Sequence, residues 1–196
     1  MKFIYLIISL PFLIFSHIFR INTRFNNLRK LCVEVLEKNH EVPDYYIKVL
    51  QKAEDRRNIY HCGVDFYAIG RAILIYKYKK IYQGASTIEQ QFVRTVTAQY
   101  QKTLSRKIIE QLLSFSLYGF YSKSNISASY LYIAYFATDA TGLVSLAQKL
   151  DLDIENNADE LALCSVVRLK YPQPINISSS WEFKYRCRYK WLEEHT

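Results

Sequence analysis

Apolar residues recur along this chain mainly at intervals of three and four, the spacing that gives a helix one buried stripe. A first such helix is expected from Asp44 to about Arg57, where Tyr46, Ile47, Val49 and Leu50 follow Pro43. The segment Phe66 to Tyr78 has apolar residues on most faces and is expected to be a buried helix. Ser86 to Ala98 reads as a third, opened by Ser86 and Glu89 as a capping-box pair. Leu104 to Tyr118 follows, with Ile108, Ile109, Leu112 and Leu113 toward the core, and then Lys123 to Phe136 and Ala158 to Leu169. Tyr171-Pro172-Gln173-Pro174 stops the last of these, and a short closing helix is expected around Trp181 to Trp191. Five Gly and four Pro leave little room for a turn-rich β fold, so a mainly helical domain is expected.

The first segment differs in kind. Phe3 to Phe19 is an uncharged apolar run of 17 residues, preceded by Lys2 and followed by Arg20 and Arg24. That length is at the short end of what spans a bilayer. Ser16, His17 and Ile18 are a poor match to the small-x-small site of a cleaved signal peptide, so an uncleaved anchor over residues 1–22 is expected, with one domain over 23–196. The positive-inside rule weighs Lys2 against Arg20, Arg24, Arg29 and Lys30 and would place that domain in the cytoplasm.

Composition narrows the class. Charged residues make up 22% of the chain, a globular rather than disordered profile. The formal charge of +8 suits an anionic partner: nucleic acid, a membrane surface or a phosphate-bearing substrate. Cys32, Cys62, Cys164 and Cys187 lie far apart without metal-ligand spacing and read as isolated thiols.

Three clusters carry candidate chemistry. From Ala53 to Asp65, the adjacent carboxylates Glu54 and Asp55 stand beside Arg56 and Arg57, followed by His61 and by Gly63, which permits a tight reversal. From Gly84 to Arg94, a glycine precedes a Ser/Thr cap where free N–H groups and a positive helix end favour a phosphate. Thr87, Gln90, Gln91 and Arg94 follow there at spacings that form one polar face. From Lys102 to Glu110, Arg106 and Lys107 stand four and three residues before Glu110 and face it. Taken singly, these also fit a solvated helix end, a capped amphipathic helix and a surface ion pair. Together they supply two separated carboxylates, a phosphate-sized cap and several cations, an inventory suited to glycosyl transfer from a diphosphate carrier.

In this order and spacing the clusters resemble the glycosyltransferase domain of class A penicillin-binding proteins and the monofunctional peptidoglycan glycosyltransferases. The family's Glu-Asp-x-x-Phe-x-x-His-x-Gly is similar to Glu54 through Gly63, with Asn58 in place of the aromatic residue. Its Gly-Gly/Ala-Ser-Thr-Ile-Thr-Gln-Gln is similar to Gly84 through Gln91, with Glu89 where the pattern has threonine. Arg-Lys-x-x-Glu matches Arg106 to Glu110, and Lys102 stands where an arginine is usual. A fourth motif, Lys-x-x-Ile-Leu-Glu-x-Tyr-Leu-Asn, survives in part from Lys123, with Ala128 and Tyr132 replacing its glutamate and asparagine.

The resemblance implies a lysozyme-like fold with a large helical lobe and a small membrane-proximal jaw, the jaw expected between the second and third motifs. It implies a bacterial cytoplasmic-membrane enzyme with its domain on the outer, periplasmic face, the opposite of the charge rule. Glu54 would be the general base and Glu110 would assist near the diphosphate, directly or through a divalent cation such as Mg or Mn. Asp55, His61, Ser86, Thr87, Gln90, Gln91, Arg94, Lys102, Arg106 and Lys107 would bind substrate or order the cleft. Lipid II, the lipid-linked glycan chain, the membrane and cell-wall synthesis proteins are the implied partners. The short chain is expected to leave no room for a transpeptidase domain. A non-catalytic relative that binds lipid II, or docks onto the synthesis machinery, is the second reading. A lysozyme-like hydrolase has less use for so many cations. Nucleic-acid binding explains neither the anchor nor the carboxylates and is set aside.

Overall fold

The structure, a computed structural model, describes residues 1–196. It is mainly helical, with ten α-helices and one small hairpin. After α1 (Lys2–Ile18) and a short 3-10 turn (Phe19–Ile21) come α2 (Thr23–Leu36), α3 (Asp44–Glu54), α4 (Phe66–Lys79) and α5 (Ile88–Thr97). Then follow α6 (Leu104–Leu117), α7 (Lys123–Ile133), β1 (Tyr135–Ala137), β2 (Ala140–Thr141), α8 (Leu143–Leu150), α9 (Ala158–Lys170) and α10 (Ser179–His195). Several starts are set by side chains that accept from a free first-turn N–H: Asn22, Asp65, Thr87, Thr103, Ser122 and Ser178.

One core joins α2, α3 and α5 to α9 around Leu50, Phe92, Leu113, Leu131, Leu146 and Val166, all essentially inaccessible. On α6, Leu112 and Leu113 are buried as expected, whereas Ile108 points outward. The expected helix from Lys123 to Phe136 stops at Ile133, because Ala134 turns extended and the chain enters the hairpin. Tyr135 pairs with Thr141 and Ala137 with Ala140. Gly142 closes this turn at φ +85°, where a Cβ would lie 2.4 Å from the Tyr132 carbonyl oxygen.

Two apolar surfaces stay open. Lys2–Ile21 is long and apolar enough to cross a membrane, and only 17% of that window is buried in the protein. What is buried, Tyr5, Ser9 and Ser16, lies on the inward face of α1, and the Tyr5 hydroxyl donates to Asp65 Oδ1 at 2.9 Å. The second surface corrects the reading of Phe66 to Tyr78 as a buried helix. Of α4 only Ala68 is buried, while Tyr67, Ile73, Leu74, Tyr76 and Tyr78 are exposed, as are Ile81 and Tyr82 beyond it. An all-round apolar pattern shows that a helix seeks an apolar medium, and the medium need not be the protein's own core. The stretch between the second and third clusters, where the jaw is expected, includes a short, mostly exposed loop at 98–103.

Candidate functional site

The cleft is built at the end of α3. Asp55 leaves helical geometry at φ −152°, so Glu54 terminates the helix and the chain turns back through His61 and Gly63. The solvated helix end that the charges suggest is in fact interior: Asp55, Asn58, His61 and Asp65 are all buried. Asp55 accepts from Asn58 Nδ2 at 3.1 Å and from the Ile88 N–H, at the start of α5, at 3.2 Å. His61 Nε2 lies 3.0 Å from Asp55 Oδ2. The Gly63 N–H donates to His61 Nδ1 at 3.1 Å, which makes Nδ1 the acceptor and leaves the ring proton on Nε2, directed at Asp55.

Gly63 is required by two features at once. Its φ is +105°, and a Cβ there would stand 2.7 Å from the Ser114 carbonyl oxygen on α6. Gly63→Ala is therefore expected to cost about 2–4 kcal/mol from backbone strain plus overpacking. Thermal unfolding of the variant reads this directly, and a loss below 1 kcal/mol would show that α6 yields easily.

The capping box of α5 falls one residue later than expected. Thr87 accepts from the Gln90 N–H at 3.3 Å and Gln90 Oε1 accepts from the Thr87 N–H at 3.0 Å, while Thr87 Oγ1 donates to the Gly63 carbonyl at 2.7 Å. Gln90 is thus a fully buried cap partner and does not share a polar face with Gln91 and Arg94. Gln91 donates to Glu54 Oε2 at 3.3 Å and accepts from the Tyr130 hydroxyl at 2.9 Å. Burial and the negative charge of Glu54 push the Tyr130 phenol up from its ordinary value, so it stays a donor.

The other Glu54 oxygen is held by a residue the sequence did not single out. Arg188, on α10, donates from Nη2 to Glu54 Oε1 at 2.5 Å. The two lie 134 positions apart, and no local spacing signals the pair. Asp65 is held by Arg57 at 2.8 Å. Burial alone would raise the Asp65 carboxyl, but the Ala68 N–H, Arg57 and Tyr5 together bring it below its ordinary value.

These groups border a cavity of about 790 Å³ running from Glu54 past Gly84 to Thr87. Its wall carries Arg56, Arg57, Arg71, Arg94, Lys170 and Arg188 against only Glu54, Asp55 and Asp65, so it attracts anions. Of these cations only Arg57 and Arg188 pair with a carboxylate, which leaves Arg56, Arg71, Arg94 and Lys170. Beside it, Glu110 is buried between Arg106 and Lys107, and Lys107 Nζ reaches Ser86 Oγ at 3.0 Å. Burial, with Arg94 and Arg106 nearby, holds the Lys107 ammonium below its ordinary value, and Glu110 opposes that shift. Lys102 is the predicted residue that the structure does not bring in: it sits on the exposed 98–103 loop. Asp55, His61 and Glu89 present ligand atoms within 4.8 Å of one another, as a metal site would. Lys123 Nζ already bridges that trio, 2.5 Å from Glu89 Oε1 and 3.2 Å from His61 Nδ1. All four cysteines are free, and three are buried.

A family model described as Transglycosylase matches residues 24–167. The chain belongs to the transglycosylase family. Penicillin-binding protein 4 of Bacillus subtilis (strain 168) is 36% identical over 115 residues, 58% of this chain and 18% of that protein. Penicillin-binding protein 1A of Aquifex aeolicus (strain VF5) is 35% identical over 109 residues, 55% of this chain and 15% of that protein. Penicillin-binding protein 1A of Rickettsia felis is 30% identical over 139 residues, 69% of this chain and 17% of that protein. The chain thus matches less than a fifth of the length of these relatives. Of the charged residues lining the cavity, Lys170 and Arg188 fall beyond the transglycosylase match, which ends at residue 167.

Proposed function

We propose that this chain is a membrane-anchored peptidoglycan glycosyltransferase that polymerises lipid II into β-1,4-linked strands with inversion. The observation that carries this reading is Glu54, a carboxylate fixed by two donors at the wall of a strongly cationic cavity. In this mechanism Glu54 takes the proton of the acceptor sugar's 4-hydroxyl. That oxygen bonds to the anomeric carbon of the lipid-linked donor as the bond from that carbon to the phosphate oxygen breaks. The electron pair leaves on the lipid diphosphate, whose charge meets Arg94, Arg71 and the Ser86–Lys107–Arg106 group. Asp55 and His61 position the end of α3, while Thr87 and Gln90 fix the start of α5.

A divalent cation at Glu110 does not fit the donor set. Its carboxylate faces two cationic side chains and no second carboxylate, whereas Mg²⁺ sites draw on oxygen ligands.

We read the fold as lysozyme-like, with residues 1–22 as the anchor and 23–196 as the catalytic domain on the outer face of a bacterial cytoplasmic membrane. The exposed apolar side of α4 supports reading that element, rather than the 98–103 loop, as the membrane-proximal jaw. Cell-wall synthesis proteins would then meet the domain on its remaining surface.

The deciding experiment is polymerisation of labelled lipid II by the detergent-solubilised full-length protein. Glycan strands establish the enzyme, and binding of lipid II without strands favours the non-catalytic reading. Arg188→Ala tests the clamp. Loss of a charge-assisted hydrogen bond of about 1.5–3 kcal/mol to the base lowers kcat roughly ten- to hundredfold while KM changes little, with partial recovery in Arg188→Lys. A rise in kcat would mean that Arg188 holds the base back.

A further inference from the structure

We propose that Glu89 is a positioning residue of this site: through Lys123 it fixes the orientation of the His61 ring, and thereby the Asp55–Glu54 end of α3. The inference rests on the glycosyltransferase reading for its kinetic consequence, though not for its geometry.

Glu89 is buried on the first turn of α5, where the family pattern has threonine, and its carboxylate has one charged partner, Lys123. A carboxylate is expensive to bury and is retained where it neutralises a buried cation. Lys123 opens α7, in the motif whose own glutamate is replaced here by Ala128. Its ammonium cannot serve as a free substrate-binding cation, because Glu89 and His61 Nδ1 hold it inward. The Gly63 N–H already makes Nδ1 the acceptor, and Lys123, held on that same nitrogen, braces the ring so that Nε2–H stays directed at Asp55. Asp55 in turn accepts from the Ile88 N–H, the neighbour of Glu89.

The contacts therefore form a closed circuit: Glu89, Lys123, His61, Asp55, Ile88 and back to Glu89 along the backbone. It ties α3, α5 and α7 together one residue from Glu54. This chain carries its extra carboxylate on α5 and lacks the one on α7. The structure shows what the α5 carboxylate does: it holds Lys123 against His61.

The test uses Glu89→Gln, Glu89→Asp, Lys123→Met and the double variant Glu89→Gln/Lys123→Met in the full-length protein. Lipid II polymerisation, thermal unfolding and ¹⁵N chemical shifts of the labelled imidazoles are followed, with His61 assigned by its own substitution. Glu89→Gln is expected to lower kcat about ten- to hundredfold with KM within about twofold, since a misplaced catalytic group acts on the chemical step. It is also expected to shift the His61 Nδ1 resonance, and Glu89→Asp to recover part of both. The double variant leaves no unpaired charge, so its melting temperature returns toward the parent value while kcat stays low. Recovery of both stability and kcat in the double variant would overturn the proposal, leaving Glu89 as charge balance for Lys123. An unmoved imidazole in Glu89→Gln and Lys123→Met would overturn it as well. If the parent protein makes no polymer, the glycosyltransferase reading fails, and the imidazole shifts still decide whether Glu89 acts on His61.

Discussion

Glu54→Gln is expected to reduce lipid II polymerisation by about two to four orders of magnitude while lipid II binding stays within a few fold. The substitution keeps the side chain's length and an oxygen that accepts from Arg188, so the end of α3 and the wall of the cavity persist. What it removes is the lone pair that takes the acceptor proton. The opposite position becomes an NH2 facing the Gln91 NH2, and Gln91 turns over so that its oxygen accepts there and its NH2 meets the Tyr130 hydroxyl. Gel analysis of polymer and a direct lipid-binding measurement, run together, separate the outcomes. Unchanged polymerisation would exclude Glu54 as the base. Equal binding by parent and variant with no turnover in either would make the chain a lipid II-binding relative.

The helical order of the chain was legible because its start signals are chemical and local. Thr103 and Ser122 cap α6 and α7 where the apolar periodicity begins. The α5 cap shows the limit of such signals. Ser86 with Glu89 and Thr87 with Gln90 are two valid boxes one residue apart, and only the contact of Thr87 with the Gly63 carbonyl selects the second. α4 was placed correctly but given the wrong surroundings, since apolarity does not say which apolar medium a helix enters. α2, α8 and the hairpin were not foreseen; the hairpin spans only five strand residues across β1 and β2, too few for a period to register. The candidate site divides in the same way. Glu54, Asp55, His61 and the α5 turn were legible as clusters, and the structure brings them to one cleft. Arg188 and the Glu89–Lys123 pair were not, because each is a contact between helices distant in sequence.

Glu110→Gln should produce the largest loss of stability among the polar substitutions, about 3–5 kcal/mol. Glu110 is 3% exposed and its carboxylate alone neutralises Arg106 and Lys107, both of which are mostly buried themselves. Removing the anion strands two cations, one of which already bears a desolvation cost. For a chain of this size the loss corresponds to a fall in melting temperature of roughly 6–20 °C. The deficit should also depend on pH in a definite direction. A lysine whose folded pKa lies below its unfolded value binds its proton less tightly in the folded state. Its cost is therefore fully present below the folded value and is relieved as pH rises through it. Glu110 is the partner that opposes that depression, so its removal deepens it and lowers the pH at which Lys107 sheds its charge. Unfolding measured from pH 7 to 10 should accordingly show the variant closing part of its gap to the parent as pH rises. A gap that stays constant over this range would assign the loss to Arg106, whose guanidinium keeps its charge throughout.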